Sequence, residues 1–184
     1  MMPHQGVETP PGPRTVHVAV VGAATDVPQS DLESAEQVGQ YLGEAGVILV
    51  CGGLGGTMEA ACRGAVSAGG LTVGILPGND RRAANRWVTV AIATGLGEAR
   101  NALVVSAADA VIAIGGEHGT LSEIALALKM AKPVIGIRTW LVTQDPAIAP
   151  CSDPTHDPIE RATDAASAVA LALAAIERSS PVAP

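Results

Sequence analysis

The chain has 184 residues, 48% of them hydrophobic and only 16% charged, with a net charge of −7. That length supports one domain with its own core, without a metal or disulfide staple. The acidic balance, two Trp, one Tyr and no Phe exclude the basic footprint and stacking rings of a nucleic-acid binder, and no run reaches the ~20 apolar residues of a membrane helix.

Residues 1–14 carry four Pro and two Gly and read as a disordered arm ahead of a domain at 15–178. The arm has no basic-then-apolar signal pattern. Cys51, Cys62 and Cys151 are odd in number and widely spaced, which fits a reducing cytoplasm rather than a disulfide framework. A strand is expected at 17–21, ending on Gly22. Ser30-Asp31-Leu32-Glu33 then reads as a capping box. The helix it opens carries the stripe Leu32, Ala35, Val38, Leu42, Ala45, and Gly46 stands at its C-terminal cap.

The pattern continues with a strand at 47–51, a helix at 57–68 and strands at 71–76 and 88–92. A short helix at 98–107, a strand at 110–114 and a helix at 120–131 follow; Lys132-Pro133 closes the last, since Pro cannot continue a helix. A strand at 134–137, a helix at 164–178 and a tail at 179–184 complete the chain. The strand runs are apolar on both faces, as in sheets covered by helices on both sides. Such alternation predicts an α/β fold with a mostly parallel, doubly wound sheet, joined by right-handed crossovers.

Two loops share one design. Gly52-Gly53-Leu54-Gly55-Gly56-Thr57 follows the second strand, and Gly115-Gly116-Glu117-His118-Gly119-Thr120 follows the fifth. Both read G-G-x-x-G-T, and each opens a helix. Glycines let the backbone turn and a ligand approach closely. The helix start offers unpaired N–H groups and the positive end of the dipole, which together form an anion site. Neither loop is a P-loop, and no G-x-G-x-x-G is followed by an acid about 20 residues on. A phosphate-bearing ligand is expected, with ATP hydrolysis and ordinary dinucleotide binding disfavoured.

Charge placement agrees. Arg81, Arg82, Arg86 and Arg100 fall within twenty positions, with Glu98 the one acid among them. Arginine forks suit phosphate; the alternative for Arg81 and Arg82 is a solvated loop. Thr120-Leu121-Ser122-Glu123 is a second capping box, so Glu123 either closes its own helix or faces the ligand. His118 reads as a lone loop histidine. Cys151, Asp153, His156 and Asp157 lack metal spacing, and no metal site is expected.

Three segments carry a resemblance: 52–61 (GGLGGTMEAA), 95–101 (GLGEARN) and 114–123 (IGGEHGTLSE). Together they resemble the Lonely Guy superfamily of Rossmann-like proteins, long mislabelled lysine decarboxylases. The likeness spans about residues 16–140. It is strongest to the branch of molybdenum-cofactor carriers. A second branch hydrolyses cytokinin nucleoside 5′-monophosphates, with the pattern P-G-G-x-G-T-x-x-E and an Arg from an R-K element. Against that pattern Thr120 matches the Thr, Glu123 the catalytic Glu and Arg100 the Arg. Gly115 replaces the Pro, Glu117 the second Gly and Asn101 the Lys.

The resemblance implies a single Rossmann-like domain that binds a phosphorylated pterin or nucleoside monophosphate. No cofactor is required for this, and the molybdenum cofactor itself would be the ligand. Gly22, Gly52, Gly53, Gly56, Thr57, Gly115, Gly116, Gly119 and Thr120 are the expected ligand contacts. Arg81, Arg82, Arg86, Asn101, Glu117 and His118 are further candidates. The alternative is a phosphoribohydrolase using Arg100 and Glu123; a third reading is a relative of single-stranded-DNA-processing proteins. The low charged fraction and the resemblance both imply a homodimer or homotetramer.

Overall fold

Every side chain of 110–114 is buried, because helices cover both faces of the sheet to which it belongs. The computed structural model describes residues 15–142 and 157–179. The expectations for 1–14, 180–184, Cys151, Asp153 and His156 lie outside them. Seven strands form the sheet: β1 (His17–Gly22), β2 (Ile48–Cys51), β3 (Thr72–Leu76), β4 (Val90–Ala93), β5 (Ala110–Ile114), β6 (Val134–Ile137) and β7 (Glu160–Arg161). Their order is β4-β3-β2-β1-β5-β6-β7, and every pair is parallel. The fold is thus the single doubly wound α/β domain that the alternation predicts.

The helices are α1 (Gln29–Glu44), α2 (Thr57–Ser67), α3 (Asn101–Ser106), α4 (His118–Lys129) and α5 (Ala165–Ser179). Strand side chains alternate between two cores. Val18, Val20, Leu49, Ile112 and Ile114 pack with α1, α2 and α5. Ala19, Val21, Val50, Val111 and Ala113 pack with α3 and α4. The α1–α2 crossing is close because glycines meet backbone there. A Cβ on Gly39 would lie 1.9 Å from the Ala61 carbonyl oxygen, and one on Gly64 would lie 1.9 Å from that of Glu36.

Both expected capping boxes are corrected. Pro28 is the N-cap of α1, with no side-chain cap bond, so Ser30 and Asp31 lie inside its first turn. Helix α4 starts two residues earlier than expected, with Glu117 at its N-cap and again no side-chain cap. Asp31 of the first motif turns inward to Arg138 and Glu123 of the second to Arg100, while the first motif's own capping acid, Glu33, accepts from Gln29 Nε2 at 3.0 Å. The expected helix at 98–107 divides into a 3-10 turn, Gly97–Arg100, and α3. Strand β4 begins at Val90, because the Val88 N–H closes a turn onto Asn85. The last helix runs through Ser179, one residue into the expected tail. Gly46 does follow α1, with φ 69°.

Candidate functional site

Strands β2 and β5 flank β1, so both glycine loops leave the carboxyl edge of the sheet on either side of it. The chain reverses its direction of strand addition between β1 and β5, and open α/β sheets bind ligands at that crevice.

The two loops are alike in sequence and unlike in structure. In the first, the Thr57 N–H donates to the Ala23 carbonyl at 3.0 Å. A Cβ on Gly56 would come within 2.5 Å of that same oxygen. The start of α2 is therefore partly occupied by the protein's own backbone. In the second, Gly115 and Gly116 adopt φ 52° and 102°. The first N–H to close onto Glu117 is that of Leu121, at 3.0 Å. Helix geometry leaves the N–H groups before it without intrahelical partners, and Glu117, Gly119 and Thr120 border a cleft.

That cleft has a volume of about 250 Å3. Gly22, Ala23 and Ala24 form one wall, with Leu54 and Met58 beside them. Glu98, Arg100 and Asn101 form a second wall, and Glu117, Gly119, Thr120 and Glu123 a third. Arg100 and Glu123 are each 6% exposed, and their charged ends stand 3.7 Å apart. At that separation they attract without a hydrogen bond. Arg100 Nε is buried with no partner, leaving the guanidinium donor capacity for a ligand. Burial pushes the Glu123 carboxyl up to about 7; Arg100 opposes that rise and Glu98 adds to it. Asn101 Nδ2 donates to Ser122 Oγ at 3.1 Å, which in turn donates to the Gly119 carbonyl at 2.7 Å.

Of the expected contacts, Gly22, Arg100, Asn101, Glu117, Gly119, Thr120 and Glu123 line this cleft. Gly52, Gly53, Gly56, Thr57, Gly115 and Gly116, expected as contacts, do not line it. Gly52 has to be small, since a Cβ there would meet Arg100 Nη1 at 2.5 Å. The other arginines are elsewhere. Arg81 and Arg82 line a separate recess with residues 88–91. Arg82 pairs with Asp80 at 2.9 Å, and Arg86 lies over the Trp87 ring at 4.6 Å. His118 faces an apolar shelf beside the cleft, with Ala99, Ala102 and Leu126. Ala23, Ala24, Leu54, Met58 and Glu98 were not expected at the site. Leu54 and Met58 lie in or next to the first glycine motif and Glu98 within the 95–101 segment, whereas Ala23 and Ala24 had no sequence signal. Among the described residues no three His, Cys, Asp or Glu side chains gather to hold a metal ion, and no helix is long and apolar enough to cross a membrane.

The family model of the SLOG cluster4 family matches residues 15–169. The chain belongs to the SLOG cluster4 family. Within reach of this SLOG chain is an uncharacterized protein of Archaeoglobus fulgidus, 40% identical over 131 residues, covering 71% of this chain and 85% of the relative. Among solved structures, the molybdenum cofactor binding protein of Rippkaea orientalis superposes with a TM-score of 0.76 at 37% identity, covering 88% of this chain and 97% of that one. The molybdenum cofactor carrier protein of Chlamydomonas reinhardtii gives 0.74 at 30% identity, over 89% and 99%. DNA processing protein A of Helicobacter pylori, at 18% identity and a TM-score of 0.63, shares the fold alone.

Proposed function

We propose that this SLOG protein binds a phosphorylated pterin, with the molybdenum cofactor as its cargo, and does so in the Arg100–Glu123 cleft. The observation that carries this reading is the cleft's mixed polarity. The open N-terminus of α4 offers an anion its N–H donors and dipole. Yet the walls hold three carboxyl groups, Glu98, Glu117 and Glu123, against one arginine. A bare phosphate has no use for so many acceptors. A pterin edge, with its ring N–H and amino donors, does, because carboxylates only accept hydrogen bonds. The likeness to cofactor-binding and carrier structures at 30% identity and above supports the same reading.

The phosphate would sit at Gly119 and Thr120, within reach of Arg100. Native mass spectrometry of the purified protein tests this. A co-purified phosphorylated pterin is the expected result. Retention of none, together with no binding of added pterin phosphate by calorimetry, would refute it.

A second reading rests on Glu123. A buried acid raised to about 7 beside an arginine is the kind of perturbed group that performs acid–base chemistry. It would stabilise the cationic sugar formed as an N-glycosidic bond breaks. Incubation with nucleoside 5′-monophosphates and chromatography of free base separates the two. We expect no release. Robust release that disappears in both Glu123→Gln and Arg100→Ala would establish the hydrolase instead.

A further inference from the structure

Outside the cleft, one buried acid touches the anion loop from behind. Asp31, in the first turn of α1, is 7% exposed. Its Oδ2 is so close to Gly115 that a Cβ on that glycine would come within 2.2 Å of it. Gly115 is thus confined twice, by its φ of 52° and by the carboxylate. A carboxylate in this position opposes any anion held at the start of α4.

Arg138 answers that charge. It leaves the end of β6, itself at φ 47°, and its Nε donates to Asp31 Oδ1 at 2.8 Å. Its Nη2 donates to the Ser30 carbonyl and to Ser34 Oγ, both at 2.8 Å. The residues on either side of it hold the same loop. The Gly115 N–H reaches back to the Ile137 carbonyl at 3.0 Å. Thr139 Oγ1 donates to the Gly115 carbonyl at 2.5 Å, and Trp140 Nε1 to the Glu117 carbonyl at 3.2 Å. The Trp140 ring lies 5.7 Å from that of His118. Arg161 secures this segment in turn, donating to the Thr139 and Trp140 carbonyls at 3.2 and 2.6 Å.

We propose that Arg138 is a positioning residue of the anion site: it neutralises the Asp31 carboxylate beneath Gly115, while the segment it begins clamps the 115–117 backbone in its anion-accepting shape. The proposal rests on the reading that the start of α4 takes a phosphate. Arg138 touches no ligand; it acts through Asp31 and the loop. Its charge matters because field effects across a partly buried wall are weakly screened.

The test is calorimetric titration with ribose 5-phosphate and with inorganic phosphate, at low and high salt, alongside circular dichroism. Arg138→Ala leaves Asp31 charged and unpaired, and should weaken ribose 5-phosphate binding by about tenfold or more at low salt, less at high salt. Asp31→Asn with Arg138→Ala removes both charges and should return affinity to within about threefold of wild type. Arg138→Ala that binds as wild type does overturns the proposal. So does a double variant as weak as the single one, since the arginine would then be only structural. Should Arg138→Ala not fold, Asp31→Asn alone decides: tighter binding is expected, and weaker binding overturns the proposal. Wild type that binds neither probe overturns the phosphate reading itself, and this proposal with it.

Discussion

Arg100 and Glu123 face each other across 3.7 Å inside the cleft, each 6% exposed, although 3-10 turn and helix bring them from separate segments. Neither is consumed by the pairing. The carboxyl is held near 7 by burial, and the guanidinium keeps an unpartnered Nε.

The first prediction follows from that carboxyl. Its pKa is raised in the folded protein, to about 7 from the ordinary 4.5 of a glutamate. The native state therefore holds a proton that the unfolded chain has released across that window, and stability falls as pH rises through it. The loss is at most about 3 kcal/mol, by the rule of ~1.4 per pKa unit. Glu123→Gln cannot ionise, so its denaturant midpoint should fall less than that of wild type between pH 5 and pH 8. Parallel pH profiles for the two proteins would mean that Glu123 is not the buried titrating group. Glu123→Gln should also bind ribose 5-phosphate as well as wild type or better at pH 8, since one negative charge leaves the cleft.

Gly119 separates an anion site from a simple turn. Sequence reasoning treats it as a turn glycine, but it sits in the first turn of α4 with nothing within 4 Å of an added Cβ and no positive φ. Gly119→Val should therefore fold, with stability within about 1 kcal/mol of wild type. Its side chain would stand where the phosphate is expected. Calorimetry should show ribose 5-phosphate binding lost. Unchanged binding would leave the loop with no ligand role.

Gly52→Ala tests the opposite wall. The new methyl would meet Arg100 Nη1 at 2.5 Å and displace a buried guanidinium. We expect about tenfold or greater loss of phosphate binding, from misplacement of one charged donor. Affinity equal to wild type would show that Arg100 does not need its present position.

The α1–α2 contact predicts a stability difference between neighbours. Gly64→Ala would drive a methyl to 1.9 Å from the Glu36 carbonyl and should cost about 3 kcal/mol or more. Arg63→Ala, one residue away, removes a bidentate pair with Glu36 whose side chains are 40% and 43% exposed. It should cost about 1 kcal/mol or less. Equal midpoint shifts in urea would contradict the close crossing.

Exposed apolar side chains on α3 and at the C-terminal end of α4 predict assembly. Leu103 and Met130 are 40% and 39% exposed on the α3 and α4 side. We expect a homodimer or larger oligomer in light scattering, and a shift toward the 18.4 kDa monomer in Leu103→Glu. A wild-type mass of 18.4 kDa at micromolar concentration would refute this.

Much of this protein was legible in the order of its residues. Strand runs apolar on both faces imply helices on both sides, and the short-range rules that link glycine to turns and helix starts placed both loops on one sheet edge. Those rules are local, so one residue and its neighbours suffice to state them. What they could not reach was the fate of a charged side chain. Asp31 and Glu123 each stand in a sequence that caps a helix, yet each faces an arginine brought by a distant segment, Arg138 in one case and Arg100 in the other. The same limit explains why the two G-G-x-x-G-T loops read as equals. Only the packing of the β1 exit against Gly56 closes the first with the Ala23 carbonyl and leaves the second open. A buried charge takes whichever partner the tertiary fold brings within reach, because leaving it unpaired costs more than a lost cap.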